Sequence, residues 1–279
     1  MFGNRPLAAL RPSDVQTWVG AMQDEGLSPS RTRQAVVILR QVLDAAIRDG
    51  MVGRNATHGV KLPKIEQREA AYFEPEIVEQ IANQLPESYG LLIRLLGTLG
   101  LRWGEAAALK RRHVDLLRRR LLVEESLAEV GGRLVTGQTK SHAVRSVPLS
   151  PSLAVALAAH LEHHTPDAYV FTSPEGAPLR HRNFYARYWY PALQRLGLPR
   201  AGLHVLRHSA AARLISAGAS PKAVQSILGH RSAAFSLTVY GHLFDADLDG
   251  LAARLDDPAT ASVRPGVTHF LGSAATDPH

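Results

Sequence analysis

The chain has no cysteine. That excludes disulfides, thiolate metal sites and cysteine nucleophiles, and it fits a reducing compartment. No apolar run approaches the ~18 residues of a membrane span. The start of the chain, MFGNRPLAALRPSD, also lacks the apolar stretch of a secretory signal. A cytoplasmic protein without membrane contact is expected. The HExxH pattern of zinc peptidases is absent, and no cysteine completes a histidine site, so no metal is expected. Lysine is scarce: Lys61, Lys64, Lys110, Lys140 and Lys222 stand against a large excess of arginine, so each one is worth locating.

What is present reads as a globular protein with a basic surface. The 279 residues are 45% hydrophobic, enough for a substantial core in one large domain or two modest ones. Lys and Arg outnumber Asp and Glu by 32 to 25, a net charge of +7, which favours polyanions and above all nucleic acid.

Periodicity places helices from residue 12 to 49. PSDVQTWVGAMQDEG opens with Ser13 as N-cap, and the following segment puts Val36, Leu39, Leu43 and Ile47 on one face. MVGRNATHGVKLPKIEQREA has no period and reads as a linker, with a domain boundary near residue 66. EPEIVEQIANQL and YGLLIRLLGTLGLRWGEAAALKRR are helical again. RRLLVEES, GGRLVTG and RSVPL are strands with a Gly-Gly turn signal, and the chain after Pro151 is mostly helical to about residue 255. The polar end is a loose tail. The expected fold is mainly α with a small antiparallel β-sheet (α+β): residues 1–66 form a small helical domain, 67–256 a larger one, and 257–279 a flexible tail.

Four polar clusters sit in apolar surroundings. Arg102 and Glu105 are either a surface ion pair or an arginine held by a carboxylate and aimed at a phosphate. Lys140, in a turn between two strands, is either solvated or a hairpin-tip acid that reaches a cleft. His204 and Arg207 share a helix with His208, which packs or caps. His230, Tyr240 and His242 close the set, and Tyr240 taken alone is a packing residue. Together, however, two arginines, a lysine, two histidines and a tyrosine make sense around a phosphodiester. The arginines clamp the non-bridging oxygens, the phenol attacks phosphorus, a histidine handles its proton, and lysine protonates the departing sugar oxygen.

The order of these residues resembles the tyrosine recombinase family, the phage-type integrases, from about residue 13 to 250. TLGLRWGEAAALKRRHVDL is similar to the family's first arginine segment, TKSHAVRSVPL to its hairpin, with Lys140 five residues before Arg145, HVLRHSAAARLISAGAS to its His-x-x-Arg helix, and SILGHRSAAFSLTVYGHL to its tyrosine motif. The chain departs from the family in two places. It begins almost directly in the core-binding helices, and Asn55-Ala56 stands where Asn-Pro is usual, a change expected to alter linker stiffness only.

The resemblance implies a core-binding domain followed by a catalytic domain. It implies catalytic roles for Arg102, Lys140, His204, Arg207, His230 and Tyr240, with Glu105 supporting Arg102. It further implies cleavage and rejoining of double-stranded DNA through a 3′-phosphotyrosyl bond, without metal, ATP or any cofactor, by a homotetramer acting on the bacterial nucleoid, with an accessory DNA-bending or directionality protein. Residues 243–255, LFDADLDGLAARL, carry a helical apolar stripe that docks either on a neighbouring subunit or on its own. Arg31, Arg33, Arg40, Arg180, Arg182 and Arg187 are the candidate DNA contacts outside the catalytic cluster. Two other activities fit the same residues: a relaxing enzyme of the type IB topoisomerase kind, and a DNA-binding remnant without full recombination.

Overall fold

The computed structural model describes residues 2–3, 5–65, 71–138, 144–230 and 232–244. The chain divides into two compact units, Met1–Arg68 and Glu69–His279. No helix among the described residues is long and apolar enough to cross a membrane.

The first unit is built on α1 (Pro12–Asp24) and α2 (Pro29–Arg48). Pro12 opens α1, and the Asp14 carboxylate accepts a hydrogen bond from the Arg11 backbone N–H at 3.0 Å. Ser13 therefore lies inside the first turn rather than capping it. The buried face of α2 is Thr32, Val36, Leu43 and Ala46, whereas Ile47 is exposed, because the stripe rotates by one residue at its end. The first part of the segment expected as a linker is held to the helices. Asn55 is buried and donates to the Arg40 carbonyl (3.1 Å) and the Asp44 carboxylate (2.6 Å), and its own oxygen accepts from the Thr57 N–H and hydroxyl. Residues 55–63 are thus held against the helices by polar side chains, a signal that hydrophobic periodicity does not carry.

The second unit opens with α3 (Pro75–Asn83) and α4 (Glu87–Leu99). Sequence periodicity runs on through residue 112, but the structure breaks it. Gly100 adopts φ +64°, ends α4, and lets the chain turn into the short α5 (Trp103–Ala107). Leu92, Ile93 and Leu95 of α4 are fully buried, each stabilising the core by roughly 1.5–3 kcal/mol.

The expected single sheet is two. Strands β1 (Val114–Asp115), β2 (Arg120–Val123) and β5 (Arg145–Pro148) form one in the order β1-β2-β5, while β3 (Glu125–Val130) pairs only with β4 (Arg133–Gln138). All pairings are antiparallel. The β3–β4 hairpin turns on Gly131 and Gly132, whose φ of +55° and +77° match a type I′ turn. Leu121 on β2 faces Val147 on β5, both fully buried, which ties the three-stranded sheet to the helical core.

The helices that follow are α6 (Pro151–His160), then α7 (His181–Phe184), running through a π-helical turn (Tyr185–Trp189) into α8 (Tyr190–Arg195), followed by α9 (His204–Ser216), α10 (Pro221–Leu228) and α11 (Ala233–Phe244). Helix α9 packs along α4, and α10 and α11 pack on α9. The approach to α9 is pinned from the π-helical turn. The Trp189 indole donates to the Ala201 carbonyl at 2.8 Å, and the Leu203 N–H donates to the Tyr185 hydroxyl. These two bonds fix where His204 begins the helix.

Candidate active site

Glu105 is the hub of the site. Its carboxylate is almost fully buried and accepts four hydrogen bonds. Oε1 takes Arg102 Nη1 (2.9 Å) and Arg145 Nη1 (3.1 Å), and Oε2 takes the Arg102 backbone N–H (2.9 Å) and Arg145 Nη2 (2.6 Å). Burial alone would raise this carboxyl, but Arg145 and then Arg102 outweigh it and hold it below the usual carboxylate range. The side chain thus stays ionised and orients two guanidinium groups.

Each arginine is also tied to a distant part of the chain. Arg102 Nη2 donates to the Gly229 carbonyl (3.3 Å), Arg145 Nε to the Ile227 carbonyl (2.9 Å), and Arg207 Nη1 to the Gly100 carbonyl (2.6 Å). The turn after α4, strand β5, helix α9 and the end of α10 are brought together this way. Arg207 is buried, and its Nη2 has no hydrogen-bond partner among the described residues. A buried, charged donor of that kind calls for an acceptor. Burial, with Arg102 adding to it, lowers Arg207 to about 10, so it remains a cation at neutral pH. Three arginines around one carboxylate leave a positive site suited to a phosphate monoanion.

The histidines are electrically the opposite. Burial first, then His208, Arg207 and Arg102, push His204 down to about 4. Burial first, then Arg207 and Arg102, push His230 to about 4 as well. His204 keeps part of its surface in water, so its depression is the softer of the two. Both are neutral hydrogen-bonding groups at pH 7. His204, Arg102 and Trp103 line a cleft of about 600 Å³ whose far wall includes Leu127, Leu134 and His181.

Tyr240 sits on α11 and is 3% exposed, packed with Ala211, Ile215, Val224 and Leu228. The segment before it is helix rather than a loose tether, so the phenol is placed by packing. Its hydroxyl lies 2.8 Å from His208 Nδ1, and its ring is parallel to His230 at a centroid distance of 6.3 Å. Burial raises the phenol above its usual value, with Arg207 opposing.

The structure therefore gathers Arg102, Glu105, His204, Arg207, His230 and Tyr240. Lys140 lies outside the described residues. Residues 245–255 and the His242 side chain also lie outside the described set.

Sequence reasoning missed two residues. Arg145 served only as a landmark for Lys140, yet it is the tightest partner of Glu105. His208 was expected to pack or cap, yet it meets the tyrosine. The visible signal for His208 was its spacing four residues after His204.

The arginines outside the cluster have varied surroundings. Arg31 is exposed, with its backbone N–H capped by Ser28. Arg33 Nε donates to the Pro63 carbonyl and Arg40 Nε to Thr57. Arg180 pairs with Glu129 at 2.7 Å, Arg182 lines the cleft, and Arg187 lies in a smaller groove beside Tyr89. The basic run at 110–120 is partly neutralised, by Lys110–Glu125 and Arg112–Asp167 among others.

A family model described as the phage integrase family matches residues 72–247. The chain is 27% identical over 238 residues to an integrase of Mycobacterium phage FRAT1, covering 82% of this chain and 70% of that one. It is 28% identical over 248 residues to a putative prophage phiRv2 integrase of Mycobacterium tuberculosis, covering 85% of this chain and 64% of that one. Among solved structures, an integrase of the Tn1549 transposon in complex with circular intermediate DNA is similar with a TM-score of 0.77 at 21% identity. The match covers 90% of this chain and 86% of the other.

Proposed function

Because the chain belongs to the phage integrase family, we propose that it is a site-specific recombinase that cuts and rejoins double-stranded DNA through a 3′-phosphotyrosyl intermediate. The observation that carries this reading is the clustering of Arg102, Arg207 and His204 around His230, with the Tyr240 ring beside His230 and His208. Arg102 and the unpartnered edge of Arg207 take the non-bridging oxygens of the scissile phosphate, and His204 and His230 donate neutral hydrogen bonds. The Tyr240 Oη–P bond forms as P–O5′ breaks. The departing oxygen takes a proton from Lys140, and the 5′-hydroxyl of a partner strand later reverses the step. The fixed guanidinium charges do the electrostatic work of a metal, and the phosphotyrosyl bond conserves the energy of the phosphodiester, so the step uses no metal, other cofactor or ATP. The integrase of the Tn1549 transposon was solved with DNA, in keeping with double-stranded DNA as the substrate here. The protein acts on the nucleoid as a tetramer, with an accessory protein bending the DNA or setting direction.

A nicked duplex taken from the DNA flanking the gene tests this. Wild type is expected to form a covalent protein–DNA adduct that survives EDTA, and Tyr240→Phe to bind without forming one. An adduct that persists in Tyr240→Phe removes the assignment. Lys140→Ala is expected to regain cleavage on a 5′-thiol-bridged substrate, whose leaving group needs no acid. A variant that stays inactive there rejects the general-acid role.

A further inference from the structure

The Tyr240 phenol must give up its proton as it attacks, and the arginines around it cannot take one. The phenol hydroxyl is directed at a single ring nitrogen among the described hydrogen bonds, His208 Nδ1 at 2.8 Å. That lies inside the 2.6–3.2 Å reach a general base requires. His230 is also adjacent, its ring 14° from parallel to the phenol ring at a centroid distance of 6.3 Å, and its Nδ1 is 2.8 Å from the Ser236 hydroxyl. His204 stands one turn before His208, its ring edge-on at 4.9 Å, on the cleft side of α9.

Resting on the phosphotyrosyl reading above, we propose that His208 is the proton acceptor of the cleavage step. The Oη–H donates to Nδ1 in the resting site. As the Oη–P bond forms and P–O5′ breaks, that proton passes to Nδ1, and the 5′ oxygen takes its own proton from the acid of the site. On rejoining, the attacking 5′-hydroxyl releases a proton, and His208 returns its proton to the departing phenolate.

The protonation states agree with this direction of transfer. Burial and then Arg207 hold His208 below the usual imidazole value, so it is free to accept, and burial holds Tyr240 above its usual value, so it still carries its proton. The titratable and charged groups around the pair are Arg207 and His204 on α9, Tyr240 on α11 and His230 ahead of it. No carboxylate stands among them within the described residues, and the DNA phosphate brings the negative charge that favours an imidazolium. Proton acceptance is thereby coupled to substrate binding.

The test is single-turnover adduct formation on the nicked duplex, pH 5.5 to 9, with the full chain. His208→Gln keeps an acceptor near the phenol but cannot hold a proton. It is expected to bind DNA normally, to form adduct roughly 10²–10⁴-fold more slowly, and to lose the acidic inflection of the wild-type profile. A His208→Gln protein with wild-type rate and profile overturns the proposal. A second measurement needs no change at His208. With 3,5-difluorotyrosine at position 240 the phenol is more acidic, yet the inflection is expected to stay in place, because it belongs to the imidazole. An inflection that moves down with the phenol overturns the proposal. If wild type itself forms no adduct, the phosphotyrosyl reading fails, and that outcome is distinct from an adduct whose rate ignores His208.

Discussion

Glu105 makes four hydrogen bonds with two oxygens, and their loss differs from one partner to the next. Arg145 is nearly as buried as the carboxylate, whereas Arg102 is about a third exposed. Arg145→Ala leaves a buried carboxylate short of its bidentate partner and is expected to destabilise the fold by about 3–5 kcal/mol. Arg102→Ala keeps that pair and is expected to cost far less stability while slowing cleavage by several orders of magnitude. Denaturant unfolding set beside adduct formation separates the two. The histidines set the acid behaviour. His204 and His230 titrate near 4 in the folded chain and near 6.5 when unfolded. Between those values the unfolded chain binds more protons, so stability is full above about pH 6.5 and falls as pH drops toward 4. Glu105, held low, contributes stability above its unfolded value and loses it only as pH falls further. Thermal melting against pH is expected to show a first decline in the histidine window, and a Tm flat from pH 7 to 4 rejects it.

Helix ends position the chemistry at the scale of elements. Gly100 ends α4, its carbonyl anchors Arg207, and two residues later Arg102 starts α5. An alanine here would hold φ at +64° and press its Cβ into Leu228 Cδ2 and to 3.1 Å from Ala210 Cβ. Gly100→Ala is expected to cost about 1–3 kcal/mol and to slow cleavage as well, since the carbonyl that orients Arg207 moves. Unchanged kinetics in a folded variant would show that the anchor is not needed. The sequence displayed some of these devices. The Gly131-Gly132 turn and the strands beside it were legible from local signals alone. The break at Gly100 was not, because apolar residues continue on both sides and period counting carries the helix across.

The net charge of +7 concerns the whole molecule. A duplex held through 6–10 phosphates is expected to bind roughly 10³–10⁵-fold more weakly at 200 mM salt than at 50 mM. Fluorescence anisotropy measures this, and a salt-independent constant would place recognition elsewhere than the backbone. Much of the basic surface is already committed. Arg112, Arg145 and Arg180 pair with acids of this chain, and Arg33 and Arg40 hold residues 57–63. Counting arginines in the sequence therefore overstates the charge free for a partner.

By itself the sequence determined the helical character of the chain, the glycine turn and the set of residue types able to work on a phosphodiester, because each is written in composition or in spacing over a few positions. Only the tertiary structure decided what those residues touch. Arg102 meets Gly229, Arg207 meets Gly100, Arg145 closes on Glu105, and His208 meets Tyr240. These pairings join residues from 32 to 127 positions apart. Local periodicity carries no information about such distances, and the packing of α9 on α4 and of α10 and α11 on α9 supplies it.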